Sequence, residues 1–187
     1  MKLLLMRHGE AEFNAQTDAD RSLTLYGRAQ VSAVARRLLE MDLQIEKIMV
    51  SPYLRARQTA AIMSNTMLNN LSGTLLNNPP GASVSSKELG KESGNISGDM
   101  SVTSAVGSWP EEVSEAITPE QSPERAAVAI AKCFDNAGIG LVVMHQPIIS
   151  RLVYYLTAQD QSMGTANLAI IEAPLMGLGC CELECVI

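Results

Sequence analysis

The sequence predicts an α/β fold, a three-layer α/β/α sandwich around a mostly parallel sheet with an antiparallel edge strand, and three observations carry that expectation. Short apolar runs, Leu3-Leu4-Leu5-Met6, residues 45–50 and Leu141-Val142-Val143-Met144, each close on a turn-forming or polar residue, as strands buried on both faces do. Helical stretches alternate with them, which implies parallel strands with crossovers on both faces. Residues 167–172 and 179–187 read as two last strands, and a hairpin between them makes one edge antiparallel.

A chain of 187 residues, 47% hydrophobic, is expected to form a single domain over 1–187. The formal net charge of −6 argues against nucleic acid or an anionic membrane as a main partner, because no basic surplus exists to neutralise phosphates. Arg7 interrupts the first apolar run too early for a signal peptide. No stretch approaches the ~18 apolar residues of a membrane span, and a cytoplasmic location is the expectation. Cys133, Cys180, Cys181 and Cys185 include no C-x-x-C pair and read as reduced thiols buried in a helix and a terminal strand.

In order, residues 2–6 form the first strand and 12–21 a polar loop. Thr24 caps a helix whose apolar stripe is Val31, Val34, Ala35, Leu38 and Leu39. Residues 45–50 form the second strand, closed by Ser51-Pro52, and 53–67 the second helix, with Leu54, Ala61 and Ile62 facing inward and Arg55 and Thr59 sharing another face. Residues 69–109, rich in Ser, Gly and Asn, break this pattern and read as a surface insertion or a lid. Ser122-Pro123 caps a helix carrying Ala127, Ile130, Ala131 and Phe134 on one face. The strand at 141–144, the turn His145-Gln146-Pro147 and a helix over 148–156 follow.

Arg7, His8, Arg55 and His145 all fall at strand ends, where open α/β sheets bind ligands, and Arg21 lies in a flanking loop. Cations converging in an acidic chain call for an anion among them, and a phosphoryl group fits: guanidinium groups match its oxygens through paired, charge-assisted hydrogen bonds. Backbone amides at helix starts after Gly9 and Gln146 are expected to add donors. A neutral imidazole is a competent nucleophile toward phosphorus, and neighbouring arginines favour the uncharged form.

Arg7-His8-Gly9-Glu10 with Asn14, then Leu23-Thr24-x-x-Gly27, then Ser51-Pro52-x-x-Arg55-Ala56-x-Gln58-Thr59, and finally His145 after a late strand, resemble the histidine phosphatase superfamily. The Arg21-Ser22-Leu23-Thr24 segment most resembles its SixA-like phosphohistidine phosphatases. Arg7-His8-Gly9 alone is a weak signal; four segments in order are a strong one. The resemblance covers 1–67 and 117–172 and leaves the insertion unexplained. It implies that His8 carries the phosphoryl group as a phosphohistidine intermediate, and that Arg7, Arg55 and His145, joined by Arg21 and Gln146, hold its oxygens without a metal or cofactor. Free phosphate or sulfate is then expected to bind there. The implied partner is the phosphorylated His-containing phosphotransfer domain of a sensor kinase.

Most of that superfamily places an acid between the second helix and the late strand to protonate an alcohol leaving group. Glu111, Glu112, Glu115 and Glu120 are the candidates, none in a fixed pattern. A protonated imidazole leaves phosphorus easily, so a phosphoramidate substrate needs less help than an ester. Three other readings stay open: a small-molecule phosphomonoesterase using one of these acids, a non-catalytic module that binds phosphorylated partners, and a metal site on His8, His145 and Glu10, which the adjacent arginines oppose. Gln58 and Thr59 read as supports of Arg55.

Overall fold

Leu3, Leu4, Leu5 and Met6 are all fully buried in β1 (Lys2–Arg7), and alternate side chains enter two separate cores. Leu3 and Leu5 join one core and Leu4 and Met6 the other, so β1 needs apolar residues on both faces. The computed structural model describes residues 1–76 and 109–187; the rest of the predicted insertion lies outside the described residues.

The remaining elements are α1 (Leu25–Glu40), β2 (Lys47–Val50), α2 (Leu54–Leu76), β3 (Glu111–Val113), α3 (Pro123–Cys133), β4 (Ile139–Met144), α4 (Ile148–Thr157), β5 (Leu168–Glu172) and β6 (Glu182–Val186). The described strands form one sheet in the order β3-β2-β4-β1-β5-β6. Pairing is parallel from β3 to β1 and antiparallel for β1–β5 and β5–β6, which is the predicted architecture. Residues of α1 and α2 (Val31, Ala35, Leu38, Ala60, Met63) share one core with β1, and residues of α3 and α4 (Ala127, Ile130, Leu152, Val153) share the other. No helix among the described residues is long and apolar enough to cross a membrane.

Local signals at the helix starts act as expected. Thr24 Oγ accepts from Gly27 N at 2.8 Å, and Ser122 Oγ from Arg125 N at 3.3 Å. Gly27 has a second role, because a Cβ there would stand 2.1 Å from Glu10 O. The start of α1 therefore lies directly against the turn that follows β1.

Three expectations are corrected. In α2 the buried ridge is Ala56, Ala60, Met63 and Met67, whereas Leu54 is 39% exposed and Ala61 also faces solvent. The helix is rotated so that Arg55 and Thr59 are buried beside the sheet, and the small alanines permit close packing there. It also continues past 67 to Leu76, into the stretch read as insertion. Second, β3 had no apolar pattern to reveal it: its Glu-Glu-Val is exposed throughout and pairs with β2 at the sheet edge, where Lys47 Nζ meets Glu112 at 3.2 Å. Charge on an edge strand discourages further pairing. Third, all four cysteines are free, but Cys180 is exposed and Cys185 half-buried; burial pushes the Cys133 thiol up to about 11.

Candidate active site

Parallel register makes the site. Arg7 pairs with Met144 across β1–β4, and Val50 pairs with Val143 across β2–β4, so the three strands end level. His8, His145 and Ser51 leave the sheet side by side, and Ser51-Pro52 leads into the first turn of α2, which carries Arg55. The His8 and His145 ring centroids are 5.0 Å apart, and Arg55 Nε lies 3.1 Å from His8 Nε2. His8, Arg55 and His145 are 7%, 4% and 1% exposed. Arg7, His8, Arg21, Arg55 and Gln146 line one cleft of about 460 Å³, with Asp18 and Glu120.

The partners of His8 determine its tautomer. Gly9 O, 2.7 Å from Nδ1, can only accept, so Nδ1 carries the proton. Nε2 then presents its lone pair and accepts from Arg55 Nε. His8 is thus a neutral imidazole with Nε2 as its basic nitrogen. Burial depresses its pKa to about 4, with Arg55, Arg7 and Arg21 adding to the effect; desolvation outweighs the arginines that the sequence suggested as the cause. Burial likewise lowers His145 to about 2, with His8 and Arg55 contributing, and lowers Arg7 from its ordinary value.

Asp18, in a single 3-10 turn at Asp18–Asp20, was not among the sequence-predicted site residues. Its Oδ2 accepts from Arg55 Nη2 at 2.8 Å and its Oδ1 from Arg21 Nη1 at 3.0 Å, while Arg55 Nη1 donates to its backbone carbonyl. Burial pushes the Asp18 carboxyl up, but the hydrogen bonds from Arg21 and Arg55 prevail and hold it below its ordinary value. The only signal in the sequence was an acid three residues before Arg21. Arg21 also donates to Glu12 O at 2.6 Å, so it ties the loop together as well as lining the cleft.

The other expected residues separate into donors and braces. Arg7 Nη1 donates to Met163 O at 2.9 Å, and its Nε is buried without a partner. His145 Nε2 lies 2.7 Å from Ser51 Oγ, and its Nδ1 is likewise buried and unpartnered. Gln146 lines the cleft, but its amide donates to Ser150 Oγ at 2.8 Å and Met163 O at 2.9 Å, so the side chain braces the loop. No helix starts after Gly9: Gly9 N donates to Thr59 Oγ1 and Glu10 N to Gln30 Oε1, so those amides serve the fold. Glu10 Oε1 accepts from Thr24 Oγ1, Gln58 Oε1 from Leu23 N, and Thr59 Oγ1 donates to Arg55 O, all bracing contacts. Of the four candidate acids, Glu120 lines the cleft and accepts from Tyr53 OH at 3.3 Å.

The two depressed histidines set a pH response. Between about pH 6.5 and 4 the unfolded chain binds protons on both histidines that the folded chain does not. Stability therefore falls as pH falls through that window, by about 1.4 kcal/mol per pH unit for each histidine. Denaturant unfolding at pH 7, 6 and 5 checks this, and His8→Asn is expected to remove about half the slope.

A family model of the histidine phosphatase superfamily (branch 1) matches residues 3–72. The chain is 46% identical over 66 residues to an uncharacterized protein of Picosynechococcus sp., covering 34% of this chain and 40% of that protein. It is 41% identical over 59 residues to the phosphohistidine phosphatase SixA of Escherichia coli, covering 32% and 37%. The chain spans about two fifths of the length of these two relatives. Among solved structures, the protein histidine phosphatase SixA complexed with tungstate matches at TM-score 0.72 and 21% identity, over 100% of this chain and 96% of that one. A mycobacterial glucosyl-3-phosphoglycerate phosphatase matches at 0.59 and 14%, over 98% and 96%. At such identities the likeness is one of fold.

Proposed function

We propose, on the premise that residues 3–72 belong to the histidine phosphatase superfamily, that this chain is a phosphohistidine phosphatase. Its substrate is the phosphorylated His-containing phosphotransfer domain of a sensor kinase, dephosphorylated in the cytoplasm. One observation supports the phosphoryl-binding part of this reading. Among the described residues, the buried side-chain nitrogens without a partner are Arg7 Nε and His145 Nδ1, and both belong to the groups gathered around His8. An unmet buried donor costs about 1–3 kcal/mol, and a phosphoryl oxygen would satisfy each.

His8 Nε2 attacks phosphorus in line as the phosphorus–nitrogen bond to the substrate imidazole breaks; that imidazole leaves with the proton it carried. Water then attacks the phosphohistidine, releasing inorganic phosphate and restoring neutral His8. Arg7, Arg55 and His145 stabilise charge on the equatorial oxygens in both steps, the electrostatic contribution that dominates such transfers. Arg55 must first exchange its bonds to His8 and Asp18 for the phosphoryl group. The protein's own side chains supply the positive charge, so the reading invokes no metal or cofactor.

A second reading, hydrolysis of small phosphomonoesters, is favoured by Glu120, which stands in the cleft where an alcohol leaving group would need a proton. Initial rates on a phosphorylated phosphotransfer domain, set against sugar phosphates and nucleotides, separate the two. The expected result is preference for the phosphoramidate; faster ester hydrolysis would decide for the second reading. Tungstate or inorganic phosphate is expected to inhibit competitively.

A further inference from the structure

Ser51 lies at the end of β2, fully buried, immediately before the turn into α2. Among the described residues its hydroxyl has one hydrogen-bond partner, His145 Nε2 at 2.7 Å. Both a hydroxyl and a neutral imidazole nitrogen can either donate or accept, so this contact has two arrangements. If His145 donates through Nε2–H, the buried Ser51 proton has no acceptor and the buried Nδ1 lone pair has no donor. If Ser51 donates to Nε2, its proton is satisfied, and the groups left unmet are Nδ1–H and the Ser51 oxygen as an acceptor.

Both arrangements leave one donor and one acceptor unmet, but an imidazole nitrogen is the stronger acceptor of the two, so leaving its lone pair unmet costs more than leaving the hydroxyl oxygen's, and the second arrangement is the stable one. We propose that Ser51 is a positioning residue that locks His145 as the Nδ1–H tautomer, making Nδ1 a neutral hydrogen-bond donor to a phosphoryl oxygen. The rings of Tyr53 and His8, with centroids 4.8 and 5.0 Å from that of His145, both pack against the imidazole and restrict its movement. Depression of the His145 pKa by burial is consistent with a donor that works without becoming charged. The donor half of the proposal rests on the phosphatase reading, whereas the tautomer half does not.

Nitrogen-15 NMR of the ligand-free protein tests it, because the chain has two histidines and His8→Asn assigns the remaining signals to His145. The wild type is expected to show a protonated Nδ1 and an unprotonated Nε2. In Ser51→Ala, checked for an unchanged fold by circular dichroism, the two nitrogens should move toward each other as the second tautomer becomes populated. Affinity for inorganic phosphate should weaken about tenfold, and Ser51→Thr, which keeps the hydroxyl, should restore both properties. A protonated Nε2 in the wild type, or a tautomer unchanged in Ser51→Ala, would overturn the proposal. The expected tautomer change with undiminished phosphate binding would overturn only the donor role, and with it the assignment of His145 as a phosphoryl ligand.

Discussion

Replacing His8 with alanine is expected to lower turnover of a phosphorylated phosphotransfer domain on the order of 10⁴-fold or more, with the fold retained. The imidazole is removed from a pocket where Gly9 O orients Nδ1 and leaves Nε2 as the basic nitrogen, and no other described side chain in the cleft offers an uncharged nucleophile at that place. The chemistry that remains would be attack by water, assisted by the arginines alone. Acid-quench trapping of labelled phosphate provides the second measurement: wild type should retain label on His8, and His8→Ala should retain none. Turnover close to wild type would remove His8 as the nucleophile. Failure to trap label on folded, substrate-binding wild type would favour a module that recognises phosphorylated partners without turning them over.

Arg55→Lys, although it keeps the charge, is expected to reduce kcat/KM about 10²- to 10³-fold. The guanidinium bonds in three directions at once, through Nε to His8 Nε2 and through its two terminal nitrogens to Asp18. An ammonium is a single point on a flexible stem and cannot reproduce that planar fork. Arg55 is also 4% exposed and lies over the Tyr53 ring, 4.9 Å from its centroid, so the replacement must hold a buried charge with fewer bonds. A loss mainly in kcat would mark contacts made in the transition state; a loss mainly in KM would mark ground-state binding. Near-normal kinetics in Arg55→Lys would exclude the bidentate clamp.

His8 and His145 were legible because each directly follows an apolar run, and a strand buried on both faces has no other way to appear in a sequence. Arg55 was legible through its spacing from Ser51-Pro52. Asp18 and Ser51 were not assigned roles, because each acts through a partner far away in the chain, Arg55 and His145, and nothing local marks a carboxylate or hydroxyl as the one that will meet it. The facing of α2 was misread for a related reason: Leu54 outranks Ala56 and Ala60 in hydrophobicity, but the close approach needed to bury Arg55 beside the sheet favours small residues.

Local chemistry alone therefore determined the strands and helices that depend on their own pattern, the alternation that makes the sheet mostly parallel, and the cations that gather at the strand ends. Tertiary structure decided which groups remain unmet once the chain has folded. It tied Gln146 and the Gly9 amide into the protein, left Arg7 Nε and His145 Nδ1 without partners, and placed Asp18 between two arginines. Hydropathy patterns extend over a few residues, whereas hydrogen-bond satisfaction is an account closed over the whole molecule.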